Sequence, residues 1–315
     1  MKISLDETAG LLEKAQKIII TAHINPDGDA VGSSLGLGAF LMSKGKEVRI
    51  YIDDKLPRNL SFLPGYDLIK RLDDERFDAD LAVILDTDMG RIGAVSDLII
   101  GKKTLNIDHH ISNDGKADYV YIEKRAATAE MVFEIIDYVK AKIPLSVALP
   151  LYTGLATDTG FFKFSNTRSY TMMAAARLID CGVKPNEVSE ALEQKPLSVV
   201  EGEIEALKTL TMAANGRIAG IFLDYELSSK IESTEGFIDL IRVIEGVDVA
   251  VMIKGISPNV CRASIRSKGF DVSKIAMKFG GGGHIRAAGC TLNMPLEEAK
   301  KMLLDSLVSA LEENK

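Results

Sequence analysis

Short apolar runs alternate with amphipathic stretches over the first part of the chain, up to about residue 180. The apolar runs predict strands buried on both faces, and the stretches between them have apolar residues at helical spacing. This alternation predicts an α/β domain with a mostly parallel sheet flanked by helices. The predicted strands are KIIIT (17–21), EVRIYI (47–52), LAVILD (81–86) and TLNID (104–108), and the predicted helices cover 29–44, 128–140, 145–158 and 169–182.

A charged, helical stretch over residues 185–215 leads into a second, strand-rich region. Pro196 is expected to divide this stretch into two helices. We therefore predict a first domain over 1–184, a helical connector over 185–215 and a smaller α/β domain over 216–315. The predicted elements of the second domain are strands at 217–224, 248–255, 260–267 and 287–292, a helix at 271–279, and a C-terminal helix from about residue 295.

Length and composition are typical of a folded protein of about two domains, with 315 residues, 46% of them hydrophobic and 26% charged. The apolar runs are shorter than the roughly 20 residues of a membrane span. The N-terminus is charged and lacks the apolar core of an export signal, so a cytoplasmic location is expected. The three cysteines are widely spaced and form neither a disulfide framework nor a zinc pair.

The formal net charge of −7 disfavours a protein that coats long nucleic acid, since such proteins carry basic surfaces. It is compatible with a small anionic substrate, because bound divalent cations offset a local cluster of carboxylates.

Three of the predicted strands in the first domain end in residue types that bind metal ions. The carboxyl ends of parallel strands meet at one edge of a sheet, so we expect these side chains to lie together. One histidine or aspartate after a strand is more simply a cap or turn residue, but the whole set argues for a metal site. The candidates are His23, Asp27 and Asp29 after the first strand, Asp86 after the third, Asp108, His109 and His110 after the fourth, and Asp158 at the end of a helix.

Carboxylates and imidazoles together favour Mn²⁺, Fe²⁺, Co²⁺ or Zn²⁺, whereas Mg²⁺ and Ca²⁺ prefer oxygen ligands alone. So many carboxylates would repel one another without cations. Paired divalent ions are the usual means of activating water for displacement at phosphorus. The residues therefore predict hydrolysis of a phosphate ester.

The second domain contains a candidate anion site. Residues 280–283 are four successive glycines, which let the backbone approach an anion and direct N–H groups at it, and His284 follows as a donor. Alone, a glycine run equally indicates a flexible turn. The predicted strand nearby places Arg262, Ser264 and Arg266 on one face, and a guanidinium there can bind a phosphate.

Four segments resemble the successive motifs of the DHH phosphoesterases: HINPDGDAVGSSLGL, ILDTD, NIDHH and TGLATDTGFFKFSNT. The second domain resembles the DHH-associated C-terminal domain of the family through VCRASIRSKGFDVSKIAMKFGGGGHIRAAG. Together the two regions cover nearly the whole chain. The resemblance implies a two-domain fold in which the second domain grips a nucleotide across a cleft from the metal ions.

The resemblance also implies residue roles and a cofactor of two divalent ions, for which we expect Mn²⁺. His23, Asp27 and Asp86 would hold one ion, and Asp29, Asp86, His109 and Asp158 would hold the other. Asp108 would orient a histidine, and His110 would face the phosphate and protonate the leaving oxygen. The substrate-binding residues expected on this basis are Arg91, Arg262, Arg266, Ser267, Gly281, Gly282, Gly283 and His284.

One catalytic unit with one associated domain resembles the compact branch of the family, the nanoRNases. These enzymes degrade very short RNA to mononucleotides and remove the 3′-phosphate from 3′-phosphoadenosine 5′-phosphate. Relatives that hydrolyse cyclic dinucleotides, or their linear products, remain an alternative. The larger single-strand DNA exonucleases have further domains for which this chain has no room.

Two alternative functions from other classes are a catalytically silent nucleotide sensor and a structural scaffold. A catalytically silent nucleotide sensor would be favoured by the loss of a metal ligand, and none of the six implied ligands is missing. A structural scaffold predicts strand ends without matched ligand types. The expected partners are short oligoribonucleotides or small phosphorylated nucleotides. Long duplex nucleic acid and membranes are not expected partners. A homodimer is one of the oligomeric states that the sequence allows.

Overall fold

The computed structural model describes residues 1–72, 77–110, 113–231, 233–234 and 236–313. The chain separates into two compact units, Met1–Gln194 and Lys195–Lys315. The boundary falls inside the segment 185–215 and one residue before Pro196. The helices on either side of that proline belong to different units.

Unit 1 is built on a six-stranded sheet, and the predicted α/β class is confirmed. Its strands are β1 (Lys17–Thr21), β2 (Glu47–Tyr51), β3 (Ile69–Lys70), β4 (Leu81–Leu85), β5 (Lys103–Asp108) and β6 (Tyr119–Ile122). Their order is β3-β2-β1-β4-β5-β6, and every neighbouring pair is parallel. The sequence pattern missed β3 and β6, because both are short and lie at the sheet edges.

In the described part of unit 1, seven α-helices accompany this sheet, and the four predicted from periodicity are confirmed to within a few residues. Their bounds are α1 (Leu5–Lys14), α2 (Gly28–Ser43), α3 (Val95–Leu98), α4 (Thr128–Tyr138), α5 (Leu145–Asp158), α6 (Ser169–Asp180) and α7 (Pro185–Glu193). The central strands and the inward faces of α2, α4 and α5 form one continuous apolar core.

Helices α2 and α5 approach unusually closely. A Cβ atom added at Gly32 would lie 2.4 Å from the carbonyl oxygen of Pro150, and one added at Gly36 would lie 2.4 Å from Leu151 Cδ2. These glycines recur every four residues on one face of α2, so only a glycine stripe allows this contact. The contact brings the beginning of α2 next to the end of α5.

Unit 2 contains a second six-stranded sheet of mixed direction. Its strands are β7 (Thr211–Ala213), β8 (Ile218–Leu223), β9 (Val249–Ser257), β10 (Val260–Ser267), β11 (Gly282–His284) and β12 (Ala287–Leu292), and its helices are α8 (Leu197–Lys208), α9 (Tyr225–Ser228), α10 (Phe237–Arg242), α11 (Ser273–Lys278) and α12 (Leu296–Glu313). The order is β11-β12-β10-β9-β8-β7, in which only β8 and β9 pair in parallel. The predicted smaller α/β domain is confirmed.

One face of this second sheet is covered by α11 and α12. On the other face, α8 and α10 cover the half formed by β8 and β9. The alternating residues of β10 that point to this face, Arg262, Ser264 and Arg266, are exposed or only partly buried. This row therefore lies on a part of the sheet that α8 and α10 leave uncovered.

The expectation that 185–215 is helical throughout was wrong at its end. Thr211–Ala213 forms the edge strand β7, antiparallel to β8. Hydrogen bonding to β8 outweighs the local helical preference of this segment. Within the described ranges, none of the helices has both the length and the apolar character needed to cross a membrane.

Candidate metal centre

The strand ends that carry the candidate ligands meet at one edge of the sheet in unit 1. Strands β1, β4 and β5 are neighbours and run in the same direction, so their carboxyl ends lie side by side. The structure brings together there His23, Asp27, Asp29, Asp86, Asp108, His109, His110 and Asp158, in three overlapping groups of potential ligand atoms.

His23, Asp27 and Asp86 form the first group, with ligand atoms within 4.8 Å of one another. His23 Nε2 lies 3.5 Å from Asp86 Oδ2 and 3.9 Å from Asp27 Oδ1. His23 Nδ1 lies 2.9 Å from the carbonyl oxygen of Ile24, which can only accept a hydrogen bond. Nδ1 therefore carries a proton, and Nε2, the nitrogen that faces the carboxylates, is the one that a metal ion would bind.

Asp29, His109 and Asp158 form the second group, again within 4.8 Å. His109 Nε2 lies 3.9 Å from Asp29 Oδ2 and 3.6 Å from Asp158 Oδ2. The same nitrogen is 3.3 Å from Asp86 Oδ1, so Asp86 adjoins both groups. His109 Nδ1 faces the carbonyl oxygen of Arg125 at 3.3 Å. As in His23, Nδ1 therefore carries a proton, and Nε2 is the nitrogen that a metal ion would bind.

Asp27 is also the N-cap of α2. Its Oδ1 atom accepts hydrogen bonds of 3.0 Å from the backbone N–H groups of Asp29 and Ala30. Asp27 is thus a helix cap, as expected for a lone aspartate after a strand, and its carboxylate also faces His23. A carboxylate has two oxygens and several lone pairs, so capping leaves capacity for a metal ion.

Asp86 combines an uncommon backbone conformation with strong electrostatic pairing. Its φ of 62° lies in the left-handed region, which a non-glycine residue adopts at a cost and which is frequent at functional sites. Burial raises its pKa, but hydrogen bonds with His109 and His23 outweigh burial and hold the pKa below the usual value. Burial lowers the pKa of His109, yet the hydrogen bond with Asp86 and the nearby carboxylates raise it to about 10.

Asp29 and Asp158 are crowded carboxylates. Burial, together with the charges of Asp86 and Asp158, raises the pKa of Asp29 well above its usual value. Burial likewise raises the pKa of Asp158 to about 6. A bound cation removes this repulsion, and the mixture of imidazole and carboxylate donors suits transition-metal ions. The residues therefore fit divalent metal ions.

Asp108 and His110 form a separate dyad within the centre. The buried Asp108 accepts hydrogen bonds from His110 Nδ1 at 2.8 Å, from the His110 backbone N–H at 3.1 Å and from Asn113 Nδ2 at 2.6 Å. The hydrogen bond with Asp108 raises the pKa of His110. Because Nδ1 is engaged and the side chain is 41% exposed, Nε2 is the nitrogen left for contact outside the protein.

Three uncharged residues that support the ligands were missed by the sequence analysis. Asn113 donates to Asp108, Asn166 Nδ2 donates to the carbonyl oxygen of Asp158 at 3.0 Å, and Thr128 donates to Asp86 and Asp29. Amides and hydroxyls are not typical ligands of transition-metal ions, so the residue types alone did not mark these positions. The only available signal was their position beside the ligand-bearing segments.

In unit 2, the arginine row of β10 borders an open basin of about 530 Å³. On β9, Lys254 lies opposite Arg262, which adds a third cation to this face of the sheet. Burial and the charge of Arg262 lower the pKa of Lys254. The basin is lined by Arg262, Ser264, Arg266, the four glycines 280–283 and residues 287–291.

The glycine run does not direct all its N–H groups at an anion. The N–H groups of Gly280 and Gly281 donate to the carbonyl oxygens of Met277 and Ala276 and so close the end of α11. Gly281 is required because a Cβ there would lie 2.2 Å from the carbonyl oxygen of Gly289. Gly282 and Gly283 begin the edge strand β11, which leaves the later part of the run beside the basin.

Two other predicted substrate residues of unit 2 differ in placement. His284 is exposed at the end of β11. Ser267 is buried on the face opposite the arginine row, and its hydroxyl donates to the carbonyl oxygen of Phe270. Strand alternation causes this separation, since Arg266 and Ser267 are adjacent residues. The structure thus does not bring the Ser267 side chain into the basin.

Arg91, in unit 1, ends a short 3₁₀ helix beside the first group of ligands. Its carbonyl oxygen accepts a 2.9 Å hydrogen bond from the N–H of Ile24, the residue after His23. Its side chain is exposed.

Comparison with known proteins gives consistent matches over both units. The model of the DHH family, N-terminal domain, matches residues 17–155, and the DHHA1 domain matches residues 224–313. The bifunctional oligoribonuclease and PAP phosphatase NrnA of Thermus thermophilus is 34% identical over 297 residues, covering 92% of this chain and 89% of the relative. The protein of the same name from Bacillus subtilis is 28% identical, with 97% of each chain covered.

A solved structure resembles the whole chain. It is the crystal structure of an exopolyphosphatase-related protein from Bacteroides fragilis, with a TM-score of 0.89 and 27% sequence identity. The match covers 98% of this chain and 95% of that chain.

Proposed function

The chain belongs to the DHH family, and we propose that it is a metal-dependent phosphoesterase that hydrolyses very short oligoribonucleotides to mononucleotides and removes the 3′-phosphate from 3′-phosphoadenosine 5′-phosphate. The observation that carries this proposal is the meeting of two groups of imidazole and carboxylate atoms around Asp86. The names of the relatives from Thermus thermophilus and Bacillus subtilis support the substrate class.

The two groups correspond to two ion sites. His23, Asp27 and Asp86 would hold one ion, and Asp29, Asp86, His109 and Asp158 would hold the other. We favour Mn²⁺ because the donors mix imidazole nitrogen with carboxylate oxygen. When bound, such a pair of ions activates a water molecule and stabilises charge on the leaving oxygen.

The protein residues add proton transfer and orientation. Asp108 fixes the His110 ring through Nδ1 and favours its protonated form, so that Nε2 can donate a proton to the leaving oxygen. Arg91 is placed beside the first ion site and is proposed to contact substrate phosphate.

Unit 2 supplies substrate binding in this proposal. Arg262 and Arg266 offer guanidinium groups to phosphate on one sheet face, and no carboxylate within the described part of unit 2 forms an ion pair with either. Gly281, Gly282 and Gly283 border the same basin, and we propose that His284, exposed at the end of β11, also contacts substrate. We further propose that long duplex nucleic acid is not a substrate; a homodimer and a cytoplasmic location stay predictions.

The test is a comparison of substrates with purified, metal-stripped protein. After addition of Mn²⁺, we expect mononucleotide release from di- to pentanucleotide RNA and phosphate release from 3′-phosphoadenosine 5′-phosphate. A cyclic dinucleotide is included in the same competition, and its preferential turnover would move the protein to that branch of the family. Metal binding without turnover of any substrate would favour the silent sensor.

The matched variants are Asp86→Ala and Asp67→Ala. Asp67 is an exposed aspartate of unit 1 outside the centre, so its variant should behave as wild type. Equal activity in the two variants would refute the proposed site.

A further inference from the structure

Thr128, the first residue of α4, contacts carboxylates from both ion sites. Its hydroxyl donates a 3.0 Å hydrogen bond to Asp86 Oδ1, and its backbone N–H donates a 2.6 Å bond to Asp29 Oδ2. The next residue, Ala129, donates its N–H to Asp29 Oδ1 at 2.8 Å. Thr128, Asp29 and Asp86 are each at most 1% exposed, so these bonds form away from water.

The hydroxyl of Thr128 differs from the other groups around the Asp86 carboxylate. His23 and His109 approach that carboxylate through Nε2, the nitrogen that each would give to a metal ion. With both nitrogens committed to metal, Thr128 is the remaining side-chain donor to Asp86 within the described ranges. It is then the group that fixes the orientation of a carboxylate shared by two ions.

The segment that leads into Thr128 is tied to α6 by a buried acid. Glu130 Oε2 accepts 3.0 Å hydrogen bonds from the N–H of Ala126 and from the hydroxyl of Thr171 on α6. Glu130 is 1% exposed. The start of α4 is therefore pinned on one side by Glu130 and on the other by the two aspartates. A β-branched side chain at this point has few rotamers, which keeps the hydroxyl aimed.

We propose that Thr128 is a positioning residue that orients Asp86 and couples it to Asp29, and thereby sets metal affinity at the pair of sites. The inference rests on the proposed metal-dependent function. Thr128 is fully buried and acts through Asp86 and Asp29, so its proposed role is positioning and not catalytic. Its backbone N–H bond to Asp29 survives most substitutions, so the hydroxyl is the part that a variant can remove.

The test compares Thr128→Val, which keeps the shape and removes the hydroxyl, with Thr128→Ser, which keeps the hydroxyl. Mn²⁺ binding to metal-free protein is measured by titration calorimetry. We expect the valine variant to bind Mn²⁺ roughly 10- to 100-fold more weakly and the serine variant to stay within about threefold of wild type. We expect kcat on short RNA to fall in the valine variant while KM stays nearly unchanged.

The matched control is Thr8→Val. Thr8 is fully buried in α1, and its hydroxyl donates only to the carbonyl oxygen of Ser4. A purely structural role for Thr128 would lower the melting temperature of the metal-free protein, as in the control, and leave Mn²⁺ affinity unchanged; that result would overturn the proposal. Thr128→Ala is measured in parallel so that a folding defect of the valine variant does not decide the outcome.

Failure of this inference differs from failure of the proposed function. Wild-type protein that binds no Mn²⁺ would contradict the metal site itself. Wild-type and valine proteins that bind Mn²⁺ equally would contradict only the role of Thr128.

Discussion

The Asp108 carboxylate lies 2.8 Å from Nδ1 of His110 and also accepts the His110 backbone N–H. One buried side chain thus sets both the ring orientation and the backbone of the histidine beside the metal centre. The proposed proton-transfer dyad therefore lies at the same sheet edge as the proposed metal ligands and adjoins Asp86 and His109.

Asp108→Asn should reduce kcat by roughly 10- to 100-fold with little change in Mn²⁺ binding. The amide no longer favours the protonated imidazole or its tautomer, while the ligand groups around Asp86 remain. Steady-state kinetics and metal titration are the measurements. A loss of Mn²⁺ binding as large as the loss of kcat would place Asp108 among the ligands instead.

Asp86→Ala should abolish turnover and lower the number of bound Mn²⁺ ions, because Asp86 adjoins both groups of ligand atoms. Bound metal is counted by elemental analysis after gel filtration. Near-normal rates in this variant would contradict the assignment of Asp86 to both ion sites.

Arg266→Ala should raise KM for short RNA while metal content and kcat stay close to wild type, because Arg266 lies on the sheet face of unit 2 and is not one of the potential metal ligands. Arg242→Ala is the control, since Arg242 is partly exposed and pairs with Asp239 in α10. An effect confined to kcat would show that Arg266 does not act through substrate binding.

Gly32→Ala should destabilise unit 1 by roughly 1–3 kcal/mol and weaken Mn²⁺ binding. The new Cβ would meet the backbone oxygen of Pro150, so α2 must move away from α5 and carry Asp29 away from Asp158. Gly10→Ala is the control, because its Cβ meets no atom within 4 Å in α1. That variant should be neutral or more stable by about 0.5–1 kcal/mol. Equal stability of the two variants would argue against the close contact.

Mn²⁺ binding should release protons and weaken as the pH falls. The metal-free centre holds a proton on His109, whose pKa is about 10, and metal needs the neutral ring. Below a pH of about 6, Asp158 also takes up a proton that metal must displace. Affinity should therefore rise with pH, by about tenfold per unit for each proton released. Calorimetry in buffers of different ionisation enthalpy counts these protons; affinity independent of pH between 5.5 and 8 would contradict the cluster geometry.

By itself, the sequence determined the class of both units and the chemistry at the strand ends. Apolar runs such as 17–21 and 81–85 could only be buried strands, and parallel strands must bring their carboxyl ends together. The sequence therefore predicted that His23, Asp86 and His109 lie close together at one edge of the sheet. This prediction is possible because strand pairing depends on local pattern and on a simple rule of sheet geometry.

Only the tertiary structure decided how the supporting groups are placed. Thr128 is about 100 residues from Asp29 in the chain and meets it because α4 packs against α2 in the folded unit. The N–H groups of Gly280 and Gly281 close a helix, and Ser267 turns away from Arg266, since backbone hydrogen bonding and strand alternation outweigh what their residue types suggest. Such contacts depend on packing between distant segments, which no local pattern encodes.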